Sequence, residues 1–224
     1  MLTIPKNKKA FLFDMDGTLV DTEPIGPEVF NTLFSDNGIT PTPDERSLFI
    51  KAWRRDGVTF TTDEYLTQLI AKYDITQAPS GFISEFYTRY KQAIVTSGEL
   101  TGVGVFLNMA KSAGIILAVI SSSKRDQIEA VLDNHEWGDL FSLIVGEEDI
   151  RKFKPDPEPY LVAMQKLSLN PANCVVFEDA TNGAISGKKA GMFVIGLREG
   201  NEIEQDLSAA DIVVQSFAEL NFNS

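Results

Sequence analysis

The sequence has only one cysteine and one histidine among 224 residues. A single cysteine cannot form an internal disulfide, and Cys174 lies in an apolar run, where we expect a small buried hydrophobic residue. No apolar run approaches the roughly 20 residues that span a bilayer, and the start has no apolar segment typical of a secretory signal. From these absences we expect a cytoplasmic protein.

Positive charge is also scarce. The chain has 20 Lys and Arg against 32 Asp and Glu, a formal net charge of -12. This balance argues against nucleic acid or an anionic membrane as a partner, because phosphate backbones attract basic surfaces. A phosphate ester could bind such a protein only where a metal ion, a lysine or backbone N–H groups reverse the field locally. A monomer is expected, and a dimer is also compatible with the sequence.

Short apolar runs alternate with amphipathic stretches over most of the chain, which predicts a doubly wound α/β fold with a parallel sheet. The predicted strands are Ala10–Phe13, Ile115–Ile120, Phe141–Val145, Cys174–Phe177, Phe193–Ile195 and Ile212–Val214. The predicted helices between them are Val103–Ala113, Arg125–Asp133, Pro157–Leu167 and Asn182–Ala190.

One stretch, residues 22–97, breaks this alternation because it has helical periodicity and no convincing strand. Its predicted helices are Pro24–Asp36, Asp44–Arg54, Thr62–Lys72 and Phe82–Val95. We therefore predict a helical cap domain over residues 22–97, inserted into an α/β core formed by residues 1–21 and 98–224.

Polar residues follow several predicted strands, at the edge where parallel α/β sheets bind ligands. Each group has an ordinary interpretation when taken alone, as a turn, a helix cap or a solvated surface residue. Their shared position favours a site instead. The groups are Asp14 with Asp16, Ser121–Ser123, Lys154 with Pro155 at the start of a helix, and Glu178 with Asp179.

The carboxylates in these groups predict a cation. Two like charges about 4 Å apart cost on the order of 4 kcal/mol at an effective dielectric near 20, so the four acids would repel without a counter-ion. An oxygen-rich site without clustered His or Cys suits a hard ion, and one that also binds phosphate suits Mg²⁺.

These residues resemble the four motifs of the haloacid dehalogenase superfamily, on its phosphatase side and close to its β-phosphoglucomutase-like members with a helical cap. Residues Phe13–Thr22 resemble the first motif and Ser121 the second. Lys154 resembles the third, and Val175–Ala180, continuing to Gly191, resembles the fourth. The helical insertion matches the position of that family's cap.

The resemblance implies a mechanism and roles. Asp14 would attack phosphorus to form an aspartyl-phosphate, and Asp16 would protonate the leaving alcohol and then activate water. Phosphate-binding roles would fall to Ser121, Ser122 and Lys154. Mg²⁺ would be held by Asp14, the backbone carbonyl of Asp16, Asp179 and Glu178, the last directly or through water.

Three alternatives stay open at this point. A dehalogenase is disfavoured because, in the resemblance, that reaction needs neither Asp16 nor a metal. A phosphosugar mutase shares the motifs, but such relatives carry a His where this chain has Gly26, and His135 lies far along the chain. A phosphate-binding module without turnover would keep the fold, yet each implied position holds a competent residue.

The substrate that we expect is a small phosphorylated metabolite, such as a sugar phosphate. In the predicted cap, Glu23 follows the first motif closely, and the positive charge is most concentrated at Lys51, Arg54 and Arg55. These four are candidate substrate contacts. A solvated helix face explains the three basic residues equally well.

Overall fold

The structure is a computed structural model that describes residues 2–54, 57–199 and 205–222. By its internal contacts the chain divides into two units. Met1–Asp21 with Thr96–Ser224 is called the sheet unit, and Thr22–Val95 is called the helical unit. The predicted boundary after Asp21 coincides with this division, and the predicted boundary after Ser97 lies two residues beyond it.

The described residues form the following elements. The strands are β1 (Leu2–Ile4), β2 (Ala10–Phe13), β3 (Ile116–Ile120), β4 (Leu143–Val145), β5 (Cys174–Glu178), β6 (Phe193–Leu197), β7 (Ile212–Val214) and β8 (Leu220–Phe222). The α-helices are α1 (Ile25–Asp36), α2 (Pro43–Arg54), α3 (Thr62–Lys72), α4 (Pro79–Val95), α5 (Val103–Ser112), α6 (Arg125–Asn134), α7 (Glu158–Leu167) and α8 (Thr181–Lys189). Among the described residues, no helix combines the length and apolarity required to cross a membrane.

The sheet unit is built on a parallel sheet whose strands follow the order β4-β3-β2-β5-β6-β7. Strands β2 and β5 are buried along their whole length, as expected of a sheet covered by helices on both faces. Phe13 and Phe177 stack with their ring centroids 4.7 Å apart, which packs these two central strands side by side. The predicted fold class, a doubly wound parallel α/β sheet, is confirmed.

The helical unit is held by an aromatic core. Phe30 stacks on Phe49 at 4.2 Å between centroids, and Phe82 and Phe86 are fully buried. Thr61 begins α3 with a capping box, because its hydroxyl accepts from the N–H of Glu64 while the Glu64 carboxylate accepts from the N–H of Thr61. The described part of this unit contains no strand, in agreement with the helical periodicity.

The structure departs from the sequence predictions in two places. The strands β1 and β8, which pair in parallel with Leu2 opposite Leu220, were not predicted, because their pairing joins distant parts of the chain and leaves no local pattern in the sequence. The Lys154–Pro155 segment does not open a helix. Its peptide bond is cis, the N–H of Asp156 bonds to the carbonyl of Phe153 in a turn, and α7 begins only at Glu158.

Candidate active site

A tight turn at the end of β2 presents Asp14 and Asp16. The N–H of Asp14 still bonds to the Phe177 carbonyl of β5 at 3.0 Å, so the strand ladder continues through this residue. The chain then turns at Gly17, whose φ of 77° is a left-handed conformation that favours glycine. The Gly17 N–H bonds back to the Val20 carbonyl at 2.9 Å, which closes the turn.

The site lies where the winding of the sheet reverses. Strand β2 has β3 on one side and β5 on the other, and the chain passes from the β3 side to the β5 side between β4 and β5. All three strands are parallel, so their carboxyl ends share one edge. Asp14, Ser121 and Glu178 stand at these ends, which is the ligand-binding position of open α/β sheets.

Lys154 is the cation at the centre of this edge. Its Nζ lies 2.5 Å from Oδ1 of Asp14 and 2.5 Å from Oε1 of Glu178, and it donates to the Ile120 carbonyl at 3.0 Å. The Lys154 side chain is only 9% exposed. A buried lysine with these three partners is fixed in direction, because each of its donors has an acceptor.

Glu178 is held by a second donor. It is 1% exposed, and the Tyr160 hydroxyl donates to its Oε1 at 2.5 Å. The Lys154 Nζ also lies 5.3 Å from the centroid of the Tyr160 ring. Tyr160, from α7, therefore orients both the carboxylate and the lysine that pairs with it.

Asp16 is held by serine hydroxyls at the end of β3. Its Oδ2 accepts from Ser123 at 2.8 Å and from Ser121 at 3.2 Å. The Ser121 hydroxyl in turn accepts the N–H of Ser123 at 3.0 Å. These bonds place the second carboxylate of the turn on the β3 side of the site.

Asp179 completes the site on the β5 side. It is 2% exposed, and its Oδ1 accepts from the Thr18 hydroxyl at 3.0 Å. Thr18 follows Gly17 in the turn and is itself fully buried. The turn after β2 thus supplies Asp14 and also a donor that fixes Asp179.

The electrostatics show an excess of negative charge. Burial raises the pKa of Asp14 well above its usual range, Lys154 opposes this, and the neighbouring carboxylates of Glu178 and Asp179 raise it further. Burial, together with Glu178, raises the pKa of Asp179 to about 7. Burial lowers the pKa of Lys154, but Asp14 and Glu178 outweigh it and raise that pKa above its usual value.

The residues present fit a hard divalent cation. Asp14, Glu178 and Asp179 are all buried, and each offers an oxygen within 4.8 Å of the oxygens of the others. Lys154 alone does not balance three buried carboxylates. An all-oxygen donor set with uncompensated negative charge favours hard ions over softer metals.

The structure therefore brings six predicted residues into one region: Asp14, Asp16, Ser121, Lys154, Glu178 and Asp179. Ser122, predicted to bind phosphate, is half-buried beside them. In the helical unit, Glu23 is half-buried before α1 and Lys51 is exposed on α2. Arg55 and the Arg54 side chain lie outside the described residues.

His135 and Cys174 lie in packing environments. His135 stacks on Trp137 with centroids 4.4 Å apart, and its Nε2 lies 3.0 Å from the Ser97 carbonyl oxygen. Cys174 is buried, and burial raises the pKa of its thiol. The prediction of Cys174 as a small buried residue is confirmed.

Three further residues contact the carboxylates of the site and were not predicted to do so from the sequence. Ser123 contacts Asp16 where Ser122 was singled out, Thr18 contacts Asp179, and Tyr160 contacts Glu178. Ser123 and Thr18 stand inside segments singled out in the sequence, and Tyr160 lies six residues after Lys154. Their positions were visible in the sequence, but which hydroxyl faces the site is decided by the turn geometry.

A parallel α/β sheet with clustered carboxylates and a buried lysine at its switch point is the ligand-binding arrangement of a doubly wound α/β protein. The model of the haloacid dehalogenase-like hydrolase family matches residues 11–197, and the chain belongs to that family. The match spans every described residue of the site.

Relatives with assigned names include two phosphatases and a mutase. The bifunctional riboflavin kinase/FMN phosphatase of Arabidopsis thaliana is 29% identical over 97% of this chain, which spans only 56% of that protein. The phosphorylated carbohydrates phosphatase of Thermotoga maritima is 28% identical, with 82% of each chain covered. The structure is similar to a beta-phosphoglucomutase from Clostridium difficile, with a TM-score of 0.72, 26% identity, and 96% of this chain and 93% of that chain covered.

Proposed function

We propose that this chain is a magnesium-dependent phosphatase that hydrolyses a small phosphorylated metabolite through an aspartyl-phosphate on Asp14. The observation that carries the proposal is the contact of Lys154 with Asp14 at the edge that also presents Asp16 and Ser121. A nucleophile, a charge-neutralising cation, a second carboxylate and a hydroxyl donor are the groups that phosphoryl transfer requires.

In the first half-reaction, an Asp14 carboxylate oxygen bonds to phosphorus while the bond from phosphorus to the ester oxygen breaks. Asp16 acts as general acid and gives a proton to the leaving alcohol, so no alkoxide is released. In the second half-reaction, Asp16 takes a proton from water, and the water oxygen attacks phosphorus. The phosphorus–oxygen bond to Asp14 breaks, which releases inorganic phosphate and restores the carboxylate.

The other residues would bind and orient. Lys154 would neutralise charge on the phosphoryl oxygens as well as on Asp14, and the hydroxyl of Ser121, with Ser122 nearby, would donate to those oxygens. Asp14, Asp179, Glu178 and the Asp16 carbonyl would hold the metal. Bound Mg²⁺ would supply positive charge to the non-bridging oxygens and make the approach of an anion to these carboxylates favourable.

Two considerations support a small substrate that includes carbohydrate phosphates. The similar Thermotoga protein is named for phosphorylated carbohydrates. The net charge of -12 disfavours polyanionic partners, whereas one phosphate group needs only the local charge reversal at Lys154 and the metal. We propose that side chains of the helical unit select among such esters, with Glu23, Lys51, Arg54 and Arg55 as the candidates.

The test is phosphate release from p-nitrophenyl phosphate and from a panel of sugar phosphates, with Mg²⁺ and with EDTA. Asp14→Asn serves as the blank for contaminating phosphatases. We expect release that depends on Mg²⁺ and is absent in the variant. Well-folded protein without Mg²⁺-dependent release from any ester would contradict the proposal and leave the silent phosphate-binding module.

A phosphosugar mutase is the second candidate, because the structure is similar to a beta-phosphoglucomutase. It would use the same Asp14 intermediate but return the phosphoryl group to a sugar hydroxyl. The helical unit disfavours a mutase, because the chain has Gly26 where the resemblance places a His in mutases. Trp53 also fills the space that a side chain would need there, since a methyl group at Gly26 would lie 2.8 Å from its Cε2. Phosphorus NMR with glucose 1-phosphate separates the two, since a mutase forms glucose 6-phosphate and a phosphatase forms inorganic phosphate.

A further inference from the structure

Gly183 occupies a position where the backbone does not require glycine. It lies in the first turn of α8, and it is not among the described residues with positive φ. Within a helix, glycine is about 1 kcal/mol less favourable than alanine. The presence of glycine here therefore needs a reason other than backbone conformation.

The reason is the side chain of Glu178. A methyl group on Gly183 would lie 2.0 Å from Cδ and 2.0 Å from Oε2 of Glu178. No non-bonded carbon contact is that short, so Glu178 and a side chain at position 183 cannot occupy this arrangement together. The carboxylate lies against the first turn of the helix, where the partial positive charge of the helix end also favours it.

Glu178 is buried and hydrogen-bonded, so it cannot shift without breaking contacts in the site. It is 1% exposed, and its Oε1 contacts both the Lys154 Nζ and the Tyr160 hydroxyl. Lys154 reaches from this carboxylate to Asp14. A displacement of Glu178 would therefore disturb the lysine beside the nucleophile and also remove one of the three clustered oxygens from its position.

We propose that Gly183 is a positioning residue whose missing side chain lets Glu178 lie against α8, where it holds Lys154 beside Asp14 and keeps an oxygen in the metal cluster. The inference deepens the proposed function and rests on it where turnover is measured. Its consequences for metal affinity and for stability do not depend on turnover.

The same helix offers a matched control. At Gly187, one turn further along α8, a methyl group would lie 2.9 Å from Cγ2 of Val194 and 3.1 Å from Cγ1 of Val176. These contacts are apolar and lie outside the site. Gly187→Ala therefore adds the same methyl group to the same helix and also creates a steric clash, but the clash is with Val194 and Val176 and not with Glu178.

The first experiment compares both variants of the full chain in steady-state kinetics and in Mg²⁺ titration by calorimetry. For Gly183→Ala we expect kcat/KM to fall about 100-fold, since misplacement by about 1 Å can cost that much, and Mg²⁺ affinity to weaken about tenfold. For Gly187→Ala we expect both values within about twofold of the wild type, with a lower Tm. Equal kinetics and equal Mg²⁺ affinity in the two variants would overturn the proposal.

A size exchange gives the second test. Asp at position 178 is one methylene shorter and leaves space for the methyl group, so Glu178→Asp combined with Gly183→Ala should exceed Gly183→Ala alone in kcat/KM by about fivefold or more. Residues in contact show such non-additivity. A double variant whose loss equals the product of the two single losses would contradict direct contact as the cause.

If Gly183→Ala does not fold, the proposal can be tested by measuring thermal stability in a variant that lacks the Glu178 side chain. With Glu178→Ala present, the clash is gone, and adding Gly183→Ala should leave Tm unchanged or raise it because alanine favours the helix. A further fall in Tm would refute the role of Glu178. Wild-type protein without phosphatase activity would overturn the proposed function alone, because Mg²⁺ affinity and Tm would still report on Gly183.

Discussion

Glu45 in the helical unit and Asp179 in the sheet unit are both buried carboxylates, but their environments differ in kind. Glu45 accepts from the Lys72 ammonium at 2.7 Å, from the Tyr73 hydroxyl at 2.7 Å and from the N–H of Thr42 at 2.7 Å. Burial raises the pKa of Glu45, but these donors outweigh it and bring the value to about 2. The pKa of Asp179 is instead raised to about 7, by burial and by Glu178.

The opposite directions of these two pKa shifts indicate that Glu45 and Asp179 have different roles. Around Glu45 the donors satisfy the charge, so the ionised form stabilises the fold. At the sheet edge the three buried carboxylates of Asp14, Glu178 and Asp179 cluster beside one buried lysine, Lys154. Part of their negative charge is therefore not neutralised by the protein and is available to bind a cation. Raised pKa values in a cluster at a strand edge are typical of functional sites. The comparison predicts that removing a carboxylate damages activity in one unit and stability in the other.

The largest expected effect is that of Asp14→Asn. Loss of the nucleophile should lower kcat by about 10⁴-fold or more. Since burial and neighbouring carboxylates disfavour the charged form of Asp14, the neutral amide should not lower Tm in EDTA. The measurements are phosphate release and thermal unfolding. A variant several degrees less stable than the wild type would show that Asp14 stabilises the fold as Glu45 does, and the contrast between the units would fail.

Lys154→Met should damage both activity and stability. It removes the cation between two buried carboxylates, so we expect kcat/KM to fall about 10³-fold and the free energy of unfolding in EDTA to fall by about 3 kcal/mol. Lys188→Met is the control, because Lys188 pairs with Asp211 on the surface of the same unit, where an ion pair contributes less than about 1 kcal/mol. Equal stability losses in the two variants would contradict the central position of Lys154.

The sequence was sufficient to predict elements with a strong periodic signal. Strand β2 and helix α3 have the predicted bounds, because one is an apolar run ending in a polar turn and the other is capped by Thr61 and Glu64. The predicted strand Phe141–Val145 is shorter in the structure, where β4 begins at Leu143. Strands β1 and β8 depend on pairing between distant parts of the chain, which no local pattern contains.

The site residues divide in the same way into those with a local sequence signal and those that depend on contacts between distant parts of the chain. Asp14, Ser121 and Glu178 could be predicted because each stands at the end of a strand. Contacts across the site could not be predicted in this way. That Ser123 and Thr18 direct hydroxyls at Asp16 and Asp179 depends on the turns that hold them. That Gly183 is pressed against Glu178 depends on the distance between a helix and a strand end, which is a property of packing.

Thr18→Val should weaken metal binding with a smaller effect on turnover. The change removes the hydroxyl that orients Asp179, and loss of a group that holds a metal ligand typically costs about tenfold in affinity. At saturating Mg²⁺ we expect kcat within about threefold of the wild type. Calorimetric titration with Mg²⁺ measures the first effect, and Thr18→Ser, which keeps the hydroxyl, is the control. An unchanged Mg²⁺ affinity in Thr18→Val would mean that Asp179 does not depend on this bond.

Glu45→Gln should leave kcat unchanged within about twofold but lower the free energy of unfolding at pH 7 by about 2 kcal/mol, since it removes hydrogen bonds to a charged acceptor.

The loss of stability in Glu45→Gln should depend on pH. The pKa of Glu45 falls from 4.5 to about 2 on folding, so the ionised form stabilises the fold fully above about pH 4.5 and progressively less as the pH falls toward 2. Urea unfolding of wild type and variant from pH 7 to pH 3 should show the difference shrinking. Glu85→Gln is the control, because Glu85 forms a half-exposed i,i+4 pair with Arg89 and should cost less than about 0.5 kcal/mol. A difference for Glu45→Gln that stayed constant with pH would assign its effect to packing, and the charge contrast between the two units would then be lost.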